Sequence, residues 1–141
     1  MTRLVARVLF APALMIAFAT LVKGYPETGD GFAAGVIAAL AFLMQFVAFG
    51  ERQVRRELHT RYAPIVAVLG LALALVVGFL PLAQGEPVLT HAPAANAPVI
   101  HFGTLELLTA FVFDVAVFLV VVGFSVTSFS LVARAQEREP R

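Results

Sequence analysis

Apolar residues in this chain gather into four long runs, and the charged residues collect between them. The runs cover residues 4–22, 32–49, 63–81 and 105–131. An α-helix needs about 20 residues to cross the hydrocarbon of a bilayer. The first two runs sit near the lower limit of that length, and the fourth is long enough to tilt or to extend past the lipid. The third run, read as "APIVAVLGLALALVVGFLPL", has no polar side chain, so it is expected to face lipid all round and to carry no chemistry. The pattern predicts an all-α membrane protein with four transmembrane helices in one integral-membrane domain, residues 1–141. No internal repeat and no second domain is visible.

Basic residues set the expected orientation. Arg3 and Arg7 precede the first run, Arg52, Arg55, Arg56 and Arg61 lie between the second and third, and Arg134, Arg138 and Arg141 follow the fourth. Only Lys23 of the ten basic residues falls on the other side. Cytoplasmic loops carry the excess of Lys and Arg, so both termini are expected in the cytoplasm and loop 82–103 outside it. Pro87, Pro93 and Pro98 prevent a continuous helix in that loop, leaving a hairpin or an ordered cap as its options. The first 19 residues also have the outline of a signal peptide, with "AFA" at 17–19. The apolar run continues through Leu21 and Val22, which favours retention.

Composition agrees with a membrane protein and removes several chemistries. The 141 residues are 60% hydrophobic and 13% charged, with a mean hydropathy of +0.92. A soluble domain of this size cannot hide so much apolar surface. The absence of cysteine excludes disulfides, iron–sulfur clusters and thiolate zinc sites. His59, His91 and His101 all fall outside the apolar runs, which argues against haem held between helices. His91, His101 and Glu86 match no metal-binding spacing, so neither a metal nor a cofactor is expected. The net charge of +1 gives no field for nucleic acid. The basic stretch "ERQVRRELHTR" at 51–61 reads as a topology anchor, each Arg attracted to anionic lipid headgroups by about 1 kcal/mol.

Candidate chemistry is sparse. Asp114 lies about ten residues inside the fourth run. A central Asp costs about 2.5–3.5 kcal/mol to insert, and each Leu, Phe or Val returns about 0.3–0.6. Residues 107–124 hold roughly a dozen such side chains, so the helix still inserts. The acid must avoid lipid. Helical spacing puts Gly103, Leu107, Ala110, Val121 and Ser125 near its face, a mixture suited to meeting protein. Two readings stand: an ion or proton path, or a structural Asp bonded to a neighbouring helix or subunit. Glu106, two turns earlier, falls where a carboxylate complements the helix dipole, with a place on the ion path as the alternative.

The stretch "GYPETGDGFAAG" at 24–35 interrupts the apolar pattern. It resembles a dinucleotide fingerprint, but that fingerprint needs a preceding strand, and here a membrane span precedes it. A local role fits better. Pro26 and Gly29 turn the chain, and Asp30 caps the helix expected to begin near Gly31. Gly31, Gly35 and Ala39 form a small-residue stripe for close helix packing. Glu27 and Asp30 lining an ion entrance is the alternative. Gln45 is a buried polar group suited to bonding between helices.

Taken together, "KGYPETGDGFAAGVIAAL" and the later "TAFVFDVAVFLVVVGF" resemble the MnhB/MrpB family, a component of Mrp-type (Mnh-type) multisubunit Na⁺/H⁺ antiporters. Phe32, Gly35, Phe113, Asp114 and Gly123 match the family's places over about residues 5–130, whereas Ala34 and Ala116 stand where the family often has glycine. The resemblance implies a non-catalytic subunit in the cell (inner) membrane. It would pack against larger membrane subunits, with Phe32 and Gly123 among its packing positions, and would help line a path for Na⁺ and protons. Related subunits occur in membrane-bound hydrogenases, which gives the second reading. A stand-alone proton-coupled exporter fits less well, because residues 4–22 contain no acid.

Overall fold

A computed structural model describes residues 1–23, 29–83 and 103–138, with side chains described for all of these except 80–83, 103–108 and 137–138. The chain forms α1 (Thr2–Lys23), α2 (Asp30–Phe49), α3 (Glu51–Glu57), a 3-10 turn (Thr60–Tyr62), α4 (Ala63–Ala83) and α5 (Gly103–Arg138). Among the described residues, four helices are long and apolar enough to cross a membrane, as the four runs predict. Each extends past its run, and α5 reaches 36 residues, taking in the basic tail as far as Arg138. Most of loop 82–103, with His91, His101 and Glu86, lies outside the described residues, as does Glu27.

The helices pack side by side in the order α1, α2, α5, α4. Helix α5 contacts α2 on one side and α4 on the other, α1 rests mainly on α2, and among the described residues the α4 backbone comes close to neither α1 nor α2. The result is an open row rather than a closed bundle. Helices α2 and α5 run parallel: Gly31 faces Asp114, Phe46 faces Phe129 and Glu51 faces Arg134, with the same offset in residue number at each level. Helix α2 is the most enclosed, with 39% of its apolar window buried against 11% for α4.

Small residues set the helix spacing. In lipid there is little hydrophobic drive between helices, so close backbone packing must supply the adhesion. A side chain at Gly70 would place Cβ 2.8 Å from the backbone nitrogen of Val120, and one at Gly123 would place it 2.7 Å from the carbonyl oxygen of Ala63. These contacts correct the expectation for the third run. Helix α4 does not face lipid all round, because glycine and alanine give it a packing face against α5.

Segment 51–61 is also more ordered than a linker. Gly50, at φ 83°, breaks the helix, while its N–H still donates to the carbonyl of Phe46 at 2.9 Å. Helix α3 starts at once and buries Glu51, which is 5% exposed. Its Oε1 accepts from Arg134 Nε at 2.8 Å and Ser130 Oγ at 3.2 Å, with Arg55 at 3.7 Å. Burial pushes the Glu51 carboxyl up, but the hydrogen bonds from Arg134 and Ser130 and the charges of Arg134 and Arg55 outweigh it. The pKa therefore lies below the ordinary 4.5.

This packing can be tested at both places. A carboxyl whose folded pKa is depressed stabilises the protein fully above its unfolded value and loses that contribution as pH falls through the folded one. Thermal unfolding should therefore show the wild type losing stability below about pH 4.5. Glu51→Gln should be about 1–3 kcal/mol less stable at pH 7 and should lack this acid-dependent loss. Gly70→Val should destabilise the α4–α5 packing by about 1–3 kcal/mol. Ala72→Val, on the exposed face of α4, should leave the melting temperature unchanged.

Candidate ion-path site at the α2–α5 seam

A helix that starts inside a membrane protein presents backbone N–H groups with no intrahelical partner, together with the positive end of its dipole. Helix α2 starts this way at Asp30, and its N-cap is Gly29, a residue with no side chain to offer. The partner comes from another helix. Asp114 of α5 is 5% exposed, and its Oδ2 accepts the Gly29 N–H at 3.1 Å. A carboxylate at the positive end of a helix is favoured by charge as well as by the hydrogen bond.

Two glycines make this contact possible for different reasons. Gly29 has φ 121°, a conformation that L side chains rarely adopt. Gly31 lies against the α5 backbone, and a Cβ there would sit 2.8 Å from Cα of Asp114. The seam continues through Gly35, where a Cβ would lie 2.8 Å from Cβ of Val121, and Ala34, Ala38 and Ala39 elsewhere on α2 are all buried. On α5, Ala110, one turn before Asp114 on the same face, is buried.

Several expectations change in detail. Asp114 is not at mid-depth in the row. Helix α5 runs past α2, so a residue ten positions inside the fourth run stands level with the first turn of α2. Asp30 sits inside that first turn, one residue past the N-cap Gly29, and is half-buried. The capping carboxylate is Asp114. Phe32, expected among the packing residues, is 60% exposed. It immediately follows Gly31, so its side chain turns off the face that Gly31 and Gly35 present to α5. Gln45 donates to the carbonyl of Ala6 at 2.6 Å and joins α2 to α1. Gly123, expected among the packing residues, packs on α4. Glu106 belongs to α5, and its side chain lies outside the described residues.

The charged cluster at the opposite end of the row, Glu51 with Ser130 and Arg134, was missed in the sequence. The signal that could have found it was the four-residue spacing of Ser130 and Arg134, which puts both on one face of α5. Among the described residues no group of three or more His, Asp or Glu is placed to hold a metal ion. Asp114 is the buried acid where α2 begins, and among the described residues the Gly29 N–H is its hydrogen-bond donor.

Known proteins similar to this chain are antiporter subunits. The Na(+)/H(+) antiporter B subunit of Alkalihalophilus pseudofirmus is 31% identical over 134 residues, covering 94% of this chain and 88% of that protein. The protein of the same description from Bacillus subtilis is 34% identical over 115 residues, covering 81% of this chain and 78% of its own length. A probable K(+)/H(+) antiporter A/B subunit from Rhizobium meliloti is 32% identical over 97% of this chain, which spans only 14% of that much longer protein. Residues 1–127, which include α1, α2, α4 and the Asp114 turn of α5, match the domain described as related to the MnhB subunit of Na+/H+ antiporter, and the chain belongs to that family.

Proposed function

We propose that this chain is a non-catalytic subunit of a multisubunit Na⁺/H⁺ antiporter in the cell membrane and that Asp114 lines the cation path. The reading rests on one observation above the others: in a chain of this family, a buried carboxylate stands at the seam of two parallel helices, bonded to a backbone N–H. Intramembrane acids mark ion and proton routes because they are costly to keep there otherwise. A carboxylate suits the exchange, since it can hold a proton or face a Na⁺ ion at the same oxygens. Asp30, half-buried in the adjacent first turn, lines the same mouth. Glu106 belongs further out along α5.

The open row supports dependence on partners. Phe18 of α1, Val68 and Phe79 of α4 and Phe124 of α5 are all more than half exposed, leaving wide apolar faces for larger membrane subunits and lipid. A relative whose description joins A and B in one polypeptide fits a chain that works beside a far larger neighbour. The arginine-rich end faces the cytoplasm in this reading, by the excess of basic residues there and the attraction of anionic headgroups. The Asp114 end then faces outward.

Asp114→Asn separates transport from packing. Asn retains an oxygen to accept the Gly29 N–H but cannot be charged. Na⁺-dependent proton flux in vesicles carrying the assembled complex should fall by about tenfold or more, equivalent to about 1.4 kcal/mol, with incorporation of the chain into the complex close to wild type. Flux and assembly that both stay at wild-type levels would exclude Asp114 from the path. Flux lost only in proportion to lost assembly would make its role structural.

A further inference from the structure

Around α3 and the 3-10 turn, two cavities of opposite character adjoin. The first, about 530 Å³, is lined by Arg52, Arg55, Arg56, His59 and Arg61, with Glu51 as the one acid among the described lining residues. That acid is engaged by Ser130, Arg134 and Arg55, and the described lining groups together carry a net positive charge. The second cavity, about 140 Å³, shares His59 with the first but is lined mainly by apolar groups, including Phe42, Val66, Val122 and Val126. The backbone at His59, φ 50°, turns the chain between them. Thr60 also lines the apolar cavity. It is 8% exposed, and its hydroxyl is buried with no hydrogen-bond partner among the described residues. A buried hydroxyl without a partner carries a desolvation cost that an acceptor supplied by a ligand removes.

We infer that α3, the 3-10 turn and the start of α4 form a site for one anionic phospholipid. The phosphodiester binds among Arg52, Arg55, Arg56 and Arg61, the Thr60 hydroxyl donates to an ester carbonyl of the glycerol linkage, and the head of an acyl chain enters the apolar cavity. Guanidinium groups match phosphate oxygens in geometry and charge. A free phosphate would satisfy only the basic half. An amphiphile is the ligand that fills a basic cavity and an apolar one meeting at a single residue. The exposed Tyr62, Ile65 and Leu69 extend the apolar track along which the chain continues. This site is separate from Asp114, and its occupancy does not depend on how the cation path is assigned.

The test is to extract the assembled complex from nanodiscs of defined lipid and count retained lipids by native mass spectrometry. Phosphatidylglycerol should be retained at one per chain, at least about fivefold over phosphatidylcholine, and an Arg52→Gln/Arg56→Gln variant should lower that retention by at least about tenfold. A diether phosphatidylglycerol, which lacks ester carbonyls, should bind the unmodified chain several-fold more weakly than the diester, and Thr60→Val should abolish that difference. The ether comparison needs no variant to fold. Equal retention of the two headgroups, or undiminished retention by the arginine variant, would overturn the proposal. Equal binding of diether and diester would overturn the Thr60 contact. Displacement of phosphatidylglycerol by millimolar inorganic phosphate would overturn the lipid assignment in favour of a free-anion site.

Discussion

One hydrogen bond determines how the two central helices sit. The Gly29 N–H opens α2, and the Asp114 carboxylate of α5 accepts it at 3.1 Å. Neither group has an easy alternative where water is scarce. An open N–H left unpaired in such surroundings costs energy, and so does a lone carboxylate. The pairing pins the start of α2 against α5 at Asp114, and the contacts of Phe46 with Phe129 and Glu51 with Arg134 further along hold the two helices parallel and in one register. The glycines at 31 and 35 make the approach sterically possible, and the same offset persists to Glu51 and Arg134 at the far end. The parallel pair is therefore tied by a charged group at each end and by small residues between.

The flanking helices follow from this central pair. Helix α4 docks on the other side of α5 through Gly70 and Gly123, and α1 docks on α2 through Gln45 and an edge-to-face contact of Phe10 with Phe42. A row built this way leaves wide apolar faces exposed, and its small buried core, Phe46, Val54, Ala63 and Val126, gathers at the arginine-rich end. Adhesion comes from backbone proximity rather than from burying large side chains, and among the described residues no large side chain is fully buried. Such a shape suits a subunit inserted between others and suits poorly a machine that must enclose a path by itself.

The number and type of spans were legible because lipid imposes a length and composition that residues 4–22, 32–49, 63–81 and 105–131 display openly. Asp114 was legible too, since a charge in an apolar run has no inconspicuous explanation. Its depth and its partner were not. Both depend on the lateral order of the helices and on how far α5 overshoots α2, and neither leaves a trace in local spacing. For Phe32 a motif match marks a position without saying which face it takes, and its side chain is exposed on this chain. Helix α3 escaped notice because its order comes from Gly50 breaking the helix and from Glu51 finding Ser130 and Arg134, about 80 residues away.

The Gly29–Asp114 bond can be read directly from amide hydrogen exchange at Gly29 in the assembled complex, with the Gly50 amide, bonded to Phe46, as an internal reference. The account predicts a protected Gly29 amide in the wild type and exchange at least about tenfold faster in Asp114→Leu, while Gly50 is unchanged. A Gly29 amide that exchanges at the open-chain rate in the wild type, or one whose protection is indifferent to residue 114, would contradict it.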